Sequence, residues 1–275
     1  MNLDAYLERI AYDGPLRTDL ATLLALHHAH LRAIPYEDLD VQLGRPVTIE
    51  RPAIFEKIVT RRRGGWCYEM NGLFGWALAE LGFKITRCAG AVLRAERGDE
   101  AAGNHLVLKV ELEEGTYLAD VGFGDGPFDP VRVVPGPFVS QGFEFVLTRE
   151  EDGWWRLHNR KSRDAASFDF DLTPADENHL AERCFWLQTS PESPFVQNAV
   201  LQRHVAGGLW MMRGRVLRHV TPQEQKDYLV ESAPEYVGVL GEVFDLKLPE
   251  AAELWPKICA RHDAILAERE QLRSF

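Results

Sequence analysis

The stretch that decides the first part of the fold is Arg63-Gly64-Gly65-Trp66-Cys67-Tyr68-Glu69-Met70-Asn71. After it, apolar residues recur three and four positions apart as far as Leu81. This period predicts a helix that begins near Trp66 or Cys67, and Gly82 is well placed to end it. The stretch therefore predicts a tight glycine turn that delivers a cysteine to the start of a helix.

Cys67 is the candidate nucleophile of the chain. Unpaired backbone N–H groups and the positive end of the helix dipole stabilise a thiolate, and the run Arg61 to Arg63 adds positive charge nearby. The same N–H groups can hold a developing oxyanion. A cysteine considered in isolation is more simply a buried packing residue. The glycine turn, the arginines and the histidine and aspartate further along the chain favour the nucleophile.

A base and an acid for this cysteine lie in a predicted β-hairpin. Leu106 to Leu112 alternates with polar residues, and a second strand follows a turn at Glu114-Gly115. His105 opens the first strand and Asp120 lies in the second. This turn pairs His105 with Gly124 and leaves Asp120 four residues, or roughly 13 Å, along the strand. A His–Asp contact therefore requires a bulge, strong coiling or a different turn.

The remaining patterns divide the chain into thirds. The first third is predicted to be helical, the middle third an antiparallel sheet or small barrel, and the last third mixed. The supporting segments are helices over Pro15 to Arg32, Ala53 to Val59 and Pro256 to Leu272, and strands over Phe143 to Thr148, Trp154 to His158 and Gly208 to His219.

The charge composition disfavours some classes of binding partner. The 275 residues include 31 Lys plus Arg and 42 Asp plus Glu, a net charge of −11, which disfavours binding to nucleic acid or anionic membranes. A nucleotide-bearing cosubstrate needs a local group of donors to offset this charge. No signal-peptide pattern and no stretch of ~18 apolar residues is evident, so we expect a cytoplasmic protein.

Metal and disulfide sites are not expected. The four cysteines are far apart and form no CxxC pair. His27 and His30 share one face of a predicted helix beside His28, but no carboxylate or cysteine is spaced to complete a metal site. We expect these histidines on a plain helix surface, and we expect no metal.

Five segments together resemble the arylamine N-acetyltransferases, in the order found in that family. They are RGGWCYEMNGLF (63–74), which matches the signature RGGxCxExN, and IPYEDLD (34–40), NHLVLKV (104–110), YLADVGFGDG (117–126) and SPESPFVQN (190–198). The resemblance implies that Cys67 is the nucleophile, His105 the base and Asp120 the residue that orients the histidine.

The resemblance also implies a fold. That fold is α+β, with an N-terminal helical bundle over 1–84, a central antiparallel β-barrel over 85–190 and a C-terminal α/β lid over 191–275. Its centre is a Cys-His-Asp core like that of the cysteine proteases.

The implied reaction uses acetyl-CoA as cosubstrate in a ping-pong mechanism. Acetyl-CoA acylates Cys67, CoA leaves, and an aromatic amine or hydrazine takes the acetyl group; O-acetylation of N-arylhydroxylamines is also expected. Family position indicates Gly124, Asp125 and Gly126 as cofactor contacts, with Arg203 or other basic residues near the phosphates. Acceptor contacts are expected at Tyr36, Phe123 and Phe195.

Two departures from the family pattern are Tyr36 and Asp38, where many relatives have Phe and Asn. The Tyr36 hydroxyl leaves the acceptor preference open. A supporting ion pair is expected between Glu37 and Arg63. Alternatives that keep the three chemical residues are an amide synthase of the same family and a papain-like or transglutaminase-like amide hydrolase. A catalytically silent member that binds CoA or an aromatic ligand is a further alternative. The physiological amine, acyl-chain preference and oligomeric state stay open.

Overall fold

The computed structural model describes residues 1–159 and 166–273. Ten helices are numbered in chain order within these ranges, and a π-helical turn over Glu56–Thr60 continues α4. They are α1 Leu3–Arg9, α2 Leu20–Ala33, α3 Leu39–Gln42, α4 Arg51–Phe55, α5 Cys67–Glu80, α6 Arg94–Arg97, α7 Glu177–Thr189, α8 Pro194–Gln197, α9 Ala233–Glu242 and α10 Trp255–Arg273. The helix predicted to begin near Trp66 or Cys67 begins at Cys67.

The strands of the described ranges fall into two antiparallel sheets. They are β1 Tyr36–Glu37, β2 Lys84–Val92, β3 His105–Leu112, β4 Gly115–Leu118, β5 Val131–Arg132, β6 Gly136–Ser140, β7 Phe143–Arg149, β8 Trp155–Asn159, β9 Ser167–Phe170, β10 Val200–Val205, β11 Gly208–Arg213, β12 Val216–Val220 and β13 Gln225–Leu229.

The larger sheet is curled. Its order is β5-β4-β3-β2-β9-β8-β7-β6, so its two edge strands are consecutive in the chain. Only residues 133–135 join them, which limits the distance between the two edges to about 14 Å. Among the described strands β5 and β6 are not paired with each other, so the predicted antiparallel β-barrel is corrected to a curled half-barrel. Proline accounts for part of the difference, since Pro137 in β6 and Pro135 in the connection before it have no N–H to donate to β5.

The second sheet connects distant parts of the chain. Its order is β1-β10-β11-β12-β13, with Tyr36 opposite Gln202 and Glu37 opposite Leu201. Tyr36 also forms a parallel bridge to Gly65. The turn before Cys67 is thereby held beside the C-terminal sheet. The division into 1–84, 85–190 and 191–275 stays a prediction.

The predicted hairpin register was wrong by two residues. Leu112 pairs with Gly115 and Lys109 with Leu118, so the turn consists of Glu113 and Glu114. Gly115 follows with φ +136°, a conformation that glycine adopts readily. Extending this register places Asp120 two positions from the partner of His105, instead of four.

The predicted helix over Pro15 to Arg32 begins later, at Leu20. The Asp19 side chain accepts a hydrogen bond from Thr22 N at 2.8 Å and caps the helix there. Within the part of the chain that the structure describes, no helix combines the length and apolar character needed to cross a membrane.

Candidate active site

Cys67 is the first residue of α5 and is 3% exposed. At the two glycines before it, neighbouring atoms leave no room for a side chain. A Cβ on Gly64 would overlap the Pro35 carbonyl oxygen, and one on Gly65 would lie 2.8 Å from Glu69 Cβ. The Glu69 carboxylate accepts a hydrogen bond from Trp66 N at 3.2 Å, which caps the helix from within. Gly64 is thus required by contact with the backbone of Pro35, and Gly65 by contact with the Glu69 side chain.

His105 and Asp120 meet directly. His105 Nε2 lies 2.7 Å from Asp120 Oδ2. The other carboxylate oxygen, Oδ1, accepts from Asn71 Nδ2 at 2.7 Å and from Gly122 N at 2.8 Å. All these side chains are buried. Asp120 is therefore held by three donors, one of which is the histidine.

The electrostatics favour an ion pair between these two residues. Burial alone disfavours a charged His105, but the Asp120 carboxylate and the side chain of Cys67 raise the pKa of the imidazole to about 10. Burial works against the charge of Asp120 as well, but His105, Asn71 and Gly122 N lower the pKa of its carboxyl below the usual value. At neutral pH the arrangement is an imidazolium between a carboxylate and the Cys67 side chain.

Gly122 lets the loop after β4 close on the start of α5. A Cβ at this position would lie 2.8 Å from both the Cα and the carbonyl oxygen of Cys67, and 2.6 Å from Asn71 Nδ2. These distances are shorter than carbon and oxygen atoms tolerate. The contact between the loop and the helix therefore depends on a residue without a side chain.

A cavity of about 270 Å³ opens over these residues. Cys67 and His105 border it, and the three predicted acceptor contacts, Tyr36, Phe123 and Phe195, line the same space. Leu93, Leu187 and Val200 are among the other lining residues. The cavity thus places aromatic and aliphatic side chains around one thiol and one imidazole, and its remaining lining includes the polar residues Arg97, Asn104, Asp125, Gln202 and Arg213.

The three predicted cofactor contacts lie in different surroundings. Asp125 is buried and borders the cavity. A Cβ on Gly124 would overlap Gln202 Oε1, and one on Gly126 would lie 3.3 Å from Phe123 Cβ. Their role in binding a cofactor stays a prediction.

Arg203, suggested as a phosphate ligand, has its guanidinium occupied. Its Nε donates to Arg32 O at 3.1 Å, and its Nη1 donates to Val243 O at 3.1 Å.

A buried ion network supports the cysteine turn. Arg63 Nη2 lies 2.7 Å from Glu37 Oε1, so the predicted ion pair is present, and Arg63 Nη1 lies 3.2 Å from Asp40 Oδ1. Lys57 Nζ lies 3.0 Å from Asp40 Oδ2 and 2.9 Å from Glu69 Oε2. Five charged side chains therefore connect the β1 segment, the π-helical turn and α5.

Sequence reasoning missed Asn71 as a site residue. Its signal was available, because Asn71 lies four residues after Cys67 and so shares one face of the same helix. It also missed Lys57 and Asp40. No local pattern marks these two, since their partners are distant in the sequence.

The histidine cluster is not a plain helix surface. His27 and His30 are buried, and only His28 is half-buried. His27 Nδ1 lies 2.9 Å from Phe128 O, and His30 Nδ1 lies 2.9 Å from Tyr6 Oη. The surface expectation was wrong for His27 and His30, because α2 packs on both α1 and the loop before β5. Among the described residues, no group of three or more His, Cys, Asp or Glu is placed to hold a metal.

Comparison with known proteins identifies the family of the chain. A family model described as N-acetyltransferase matches residues 19–253. The arylamine N-acetyltransferase of Mycolicibacterium smegmatis is 35% identical over 259 residues, which cover 92% of this chain and 94% of that protein. The arylamine N-acetyltransferase of Escherichia coli (strain K12) is 34% identical over 208 residues, covering 75% and 74%.

Solved structures agree as well. The arylamine N-acetyltransferase of M. tuberculosis superposes with a TM-score of 0.85 at 30% identity, covering 94% of this chain and 99% of that one. The Mycobacterium marinum enzyme in complex with CoA gives 0.83 at 32% identity, covering 94% and 98%. The chain therefore belongs to the arylamine N-acetyltransferase family.

Proposed function

We propose that this protein transfers the acetyl group of acetyl-CoA to arylamines and arylhydrazines through an acetyl-Cys67 intermediate. The observation that carries the proposal is the 2.7 Å contact between His105 and Asp120 beside a cysteine at a helix start, in an aromatic cavity. The M. marinum relative solved with CoA supports the choice of donor.

In the first half-reaction the Cys67 thiolate attacks the thioester carbonyl carbon of acetyl-CoA. The His105 imidazolium lies beside the sulfur and stabilises negative charge on it, and backbone N–H groups at the start of α5 can donate to the developing oxyanion. The bond from the carbonyl carbon to the CoA sulfur then breaks, and His105 gives its proton to the departing thiolate. Acetyl-Cys67 and neutral His105 remain.

In the second half-reaction the amine nitrogen attacks the acetyl carbon. Neutral His105 takes a proton from the nitrogen, the bond to Cys67 Sγ breaks, and the amide leaves. In both half-reactions Asp120 fixes the orientation of the imidazole and stabilises its cationic form. The ion pair of His105 with Cys67 is restored, which completes a ping-pong cycle.

The lining of the cavity favours flat aromatic acceptors. Phe123 and Phe195 contribute aromatic rings to the lining, and Tyr36 contributes a phenol. An N-arylhydroxylamine presents the same ring with an oxygen nucleophile, so O-acetylation follows from the same intermediate. We propose that the C-terminal segment acts as a lid over this cavity.

Intact-protein mass spectrometry tests the proposal. Mixing with acetyl-CoA alone should add one acetyl group to Cys67, and an aniline or arylhydrazide should then remove it and yield the amide. Cys67→Ser should give no turnover, and His105→Gln should acylate slowly. If the protein forms no adduct but cleaves a simple amide, it is an amide hydrolase; acylation by a different donor alone indicates an amide synthase.

A further inference from the structure

A second cavity of about 470 Å³ adjoins the proposed active-site cavity. Val200, Gln202 and Arg213 line both. A ligand that reaches Cys67 through the first cavity can therefore extend into the second without leaving the protein surface. We call this second cavity the α10 groove, because α10 forms one of its walls.

The floor of the groove is one face of the C-terminal sheet. Gln202 pairs with Met211, Met211 with Arg218, and Arg218 with Asp227, so these side chains form a row across four strands. Arg213 lies opposite Val200 and Val216 on the same face. Arg203 follows Gln202 in β10, so its side chain lies on the other face of the sheet. There its guanidinium donates to the carbonyl oxygens of Arg32 and Val243.

The wall contributed by α10 is basic. Arg261, Ile265 and Arg269 are spaced four residues apart and line the groove with His262 and Leu266. Lys257, one turn before Arg261, lines a small adjoining cavity together with Arg213 and Arg261. One helix face therefore alternates guanidinium groups with aliphatic side chains.

The groove is positively charged, although the protein as a whole is negatively charged. The chain has a net charge of −11, yet the groove is lined by four arginines and a histidine against one carboxylate, Asp227. That carboxylate is paired with Arg218 at 2.8 Å. Within the described residues the polar contacts of Arg261 are long, 3.4 Å from Nε to Asn198 Oδ1 and 3.5 Å from Nη1 to Glu268 Oε1. Such a local concentration of cations attracts phosphate.

We propose that the α10 groove binds the phosphate-bearing adenosine end of the acyl donor. Arg213, Arg261 and Arg269 bind its phosphate oxygens, while Met211 and Leu266 pack against the adenine. The thioester end then lies in the cavity beside Cys67. This inference rests on the proposed function, and it selects among the basic residues of the last third, which sequence alone leaves equivalent.

Comparing two acyl donors distinguishes an effect on phosphate binding from an effect on acyl transfer. S-acetylpantetheine carries the same thioester as acetyl-CoA but lacks the nucleotide. In the variant Arg261→Glu/Arg269→Glu, the KM for acetyl-CoA should rise by roughly tenfold or more, since each charge-assisted hydrogen bond contributes on that order. The KM for S-acetylpantetheine should not change. Arg17→Glu/Arg51→Glu, which makes the same charge change at exposed positions outside the groove, should leave both values unchanged.

A direct binding measurement removes the dependence on activity. Calorimetry with adenosine 3′,5′-bisphosphate should show weaker binding, by about tenfold or more, to the α10 variant than to the wild type or the Arg17/Arg51 control. Equal binding to all three, or equal loss of both donors, would overturn the assignment of the groove. A wild type that binds the bisphosphate but accepts neither donor would instead refute the proposed function while leaving the groove in place.

Discussion

Asn71 Nδ2 lies 2.7 Å from Asp120 Oδ1, and Asn71 Oδ1 accepts the backbone N–H of Val121 at 2.9 Å. A single buried amide on α5 therefore holds both the side chain and the following backbone of the residue that pairs with His105. The same helix begins with Cys67. The nucleophile and the acid are thus fixed to one rigid element, although 53 positions separate them in the chain.

Replacing Asn71 tests this positioning role. Asn71→Leu keeps the approximate size but removes these two contacts and a third, from Nδ2 to Leu106 O at 2.6 Å, so Asp120 and the imidazole lose alignment, and a shift of about 1 Å can cost on the order of a hundredfold in rate. We expect the rate of acetyl-Cys67 formation to fall by that order while the far-UV circular dichroism spectrum is retained.

A purely structural role for Asn71 would give a different pattern. Thermal stability would fall, but the rate per folded molecule would stay at the wild-type value. Asn178→Leu, at an exposed position of α7, is the matched control and should leave the acylation rate unchanged.

The charge state of His105 gives a prediction for pH. Burial alone would lower the pKa of this imidazole, but Asp120 and Cys67 raise it from an ordinary 6.5 to about 10. A raised histidine pKa stabilises the fold fully below 6.5, and this contribution is lost as the pH rises through about 10. In Asp120→Asn the attraction is removed while burial remains, so the imidazole should titrate at a lower pH than in the wild type.

Proton NMR of the histidine ring measures both midpoints. The wild-type midpoint should lie near 10, and the advantage in unfolding free energy over Asp120→Asn should shrink between pH 6.5 and 10. Identical midpoints in the two proteins would show that Asp120 does not control the histidine.

The sequence predicts the start of α5 because local rules govern it. Gly64, Gly65 and the apolar period after Met70 act within a few residues of Cys67, and the helix begins where they indicate. Cys67, Tyr36 and Phe195 also meet at one cavity, but only the family resemblance brought the last two together. Their contact depends on β1 pairing with β10, which no local pattern encodes.

The hairpin shows where local reasoning fails. Glu114-Gly115 is the better turn by residue preference, but Glu113-Glu114 occupies the turn in the structure. Burial does not separate the two registers, because a shift of two residues keeps the same side chains on the core face: Val110 pairs with Tyr117 in the structure and would pair with Ala119 in the alternative, and both partners pack in the helical core. The observed register shortens the offset between Asp120 and His105. Residue preference at the turn therefore does not fix the register by itself.

Gly122 offers a test of the contact between loop and helix. In Gly122→Ala the new methyl group would lie 2.8 Å from Cys67 Cα and its carbonyl oxygen, so the loop must move away from α5. We expect the acylation rate to fall at least tenfold, because the loop carries Asp120. Single-turnover mass spectrometry measures this rate.

Gly238→Ala is the control for that substitution. Gly238 lies within α9, and no atom lies within 4 Å of a Cβ added there. This change should leave acylation intact and raise the free energy of unfolding by roughly 0.5–1 kcal/mol, as glycine is a poor residue inside a helix. A full acylation rate in Gly122→Ala would mean that the loop tolerates displacement.

Lys57 carries the last prediction, on stability. Its ammonium group is buried between Asp40 and Glu69, and although burial disfavours its charge, these carboxylates and Glu37 raise its pKa above the usual value. Lys57→Met removes the cation that lies between two buried carboxylates, leaving Arg63 to Asp40 and the Trp66 N–H to Glu69, and should lower the free energy of unfolding by about 3–5 kcal/mol. Urea denaturation measures the loss.

Lys84→Met is the control. At a side chain that is 78% exposed, this change should lower the free energy of unfolding by no more than about 1 kcal/mol. If the network acts through charge, adding Asp40→Asn and Glu69→Gln to Lys57→Met should recover part of the stability, and no recovery would assign the loss to packing of the lysine stem.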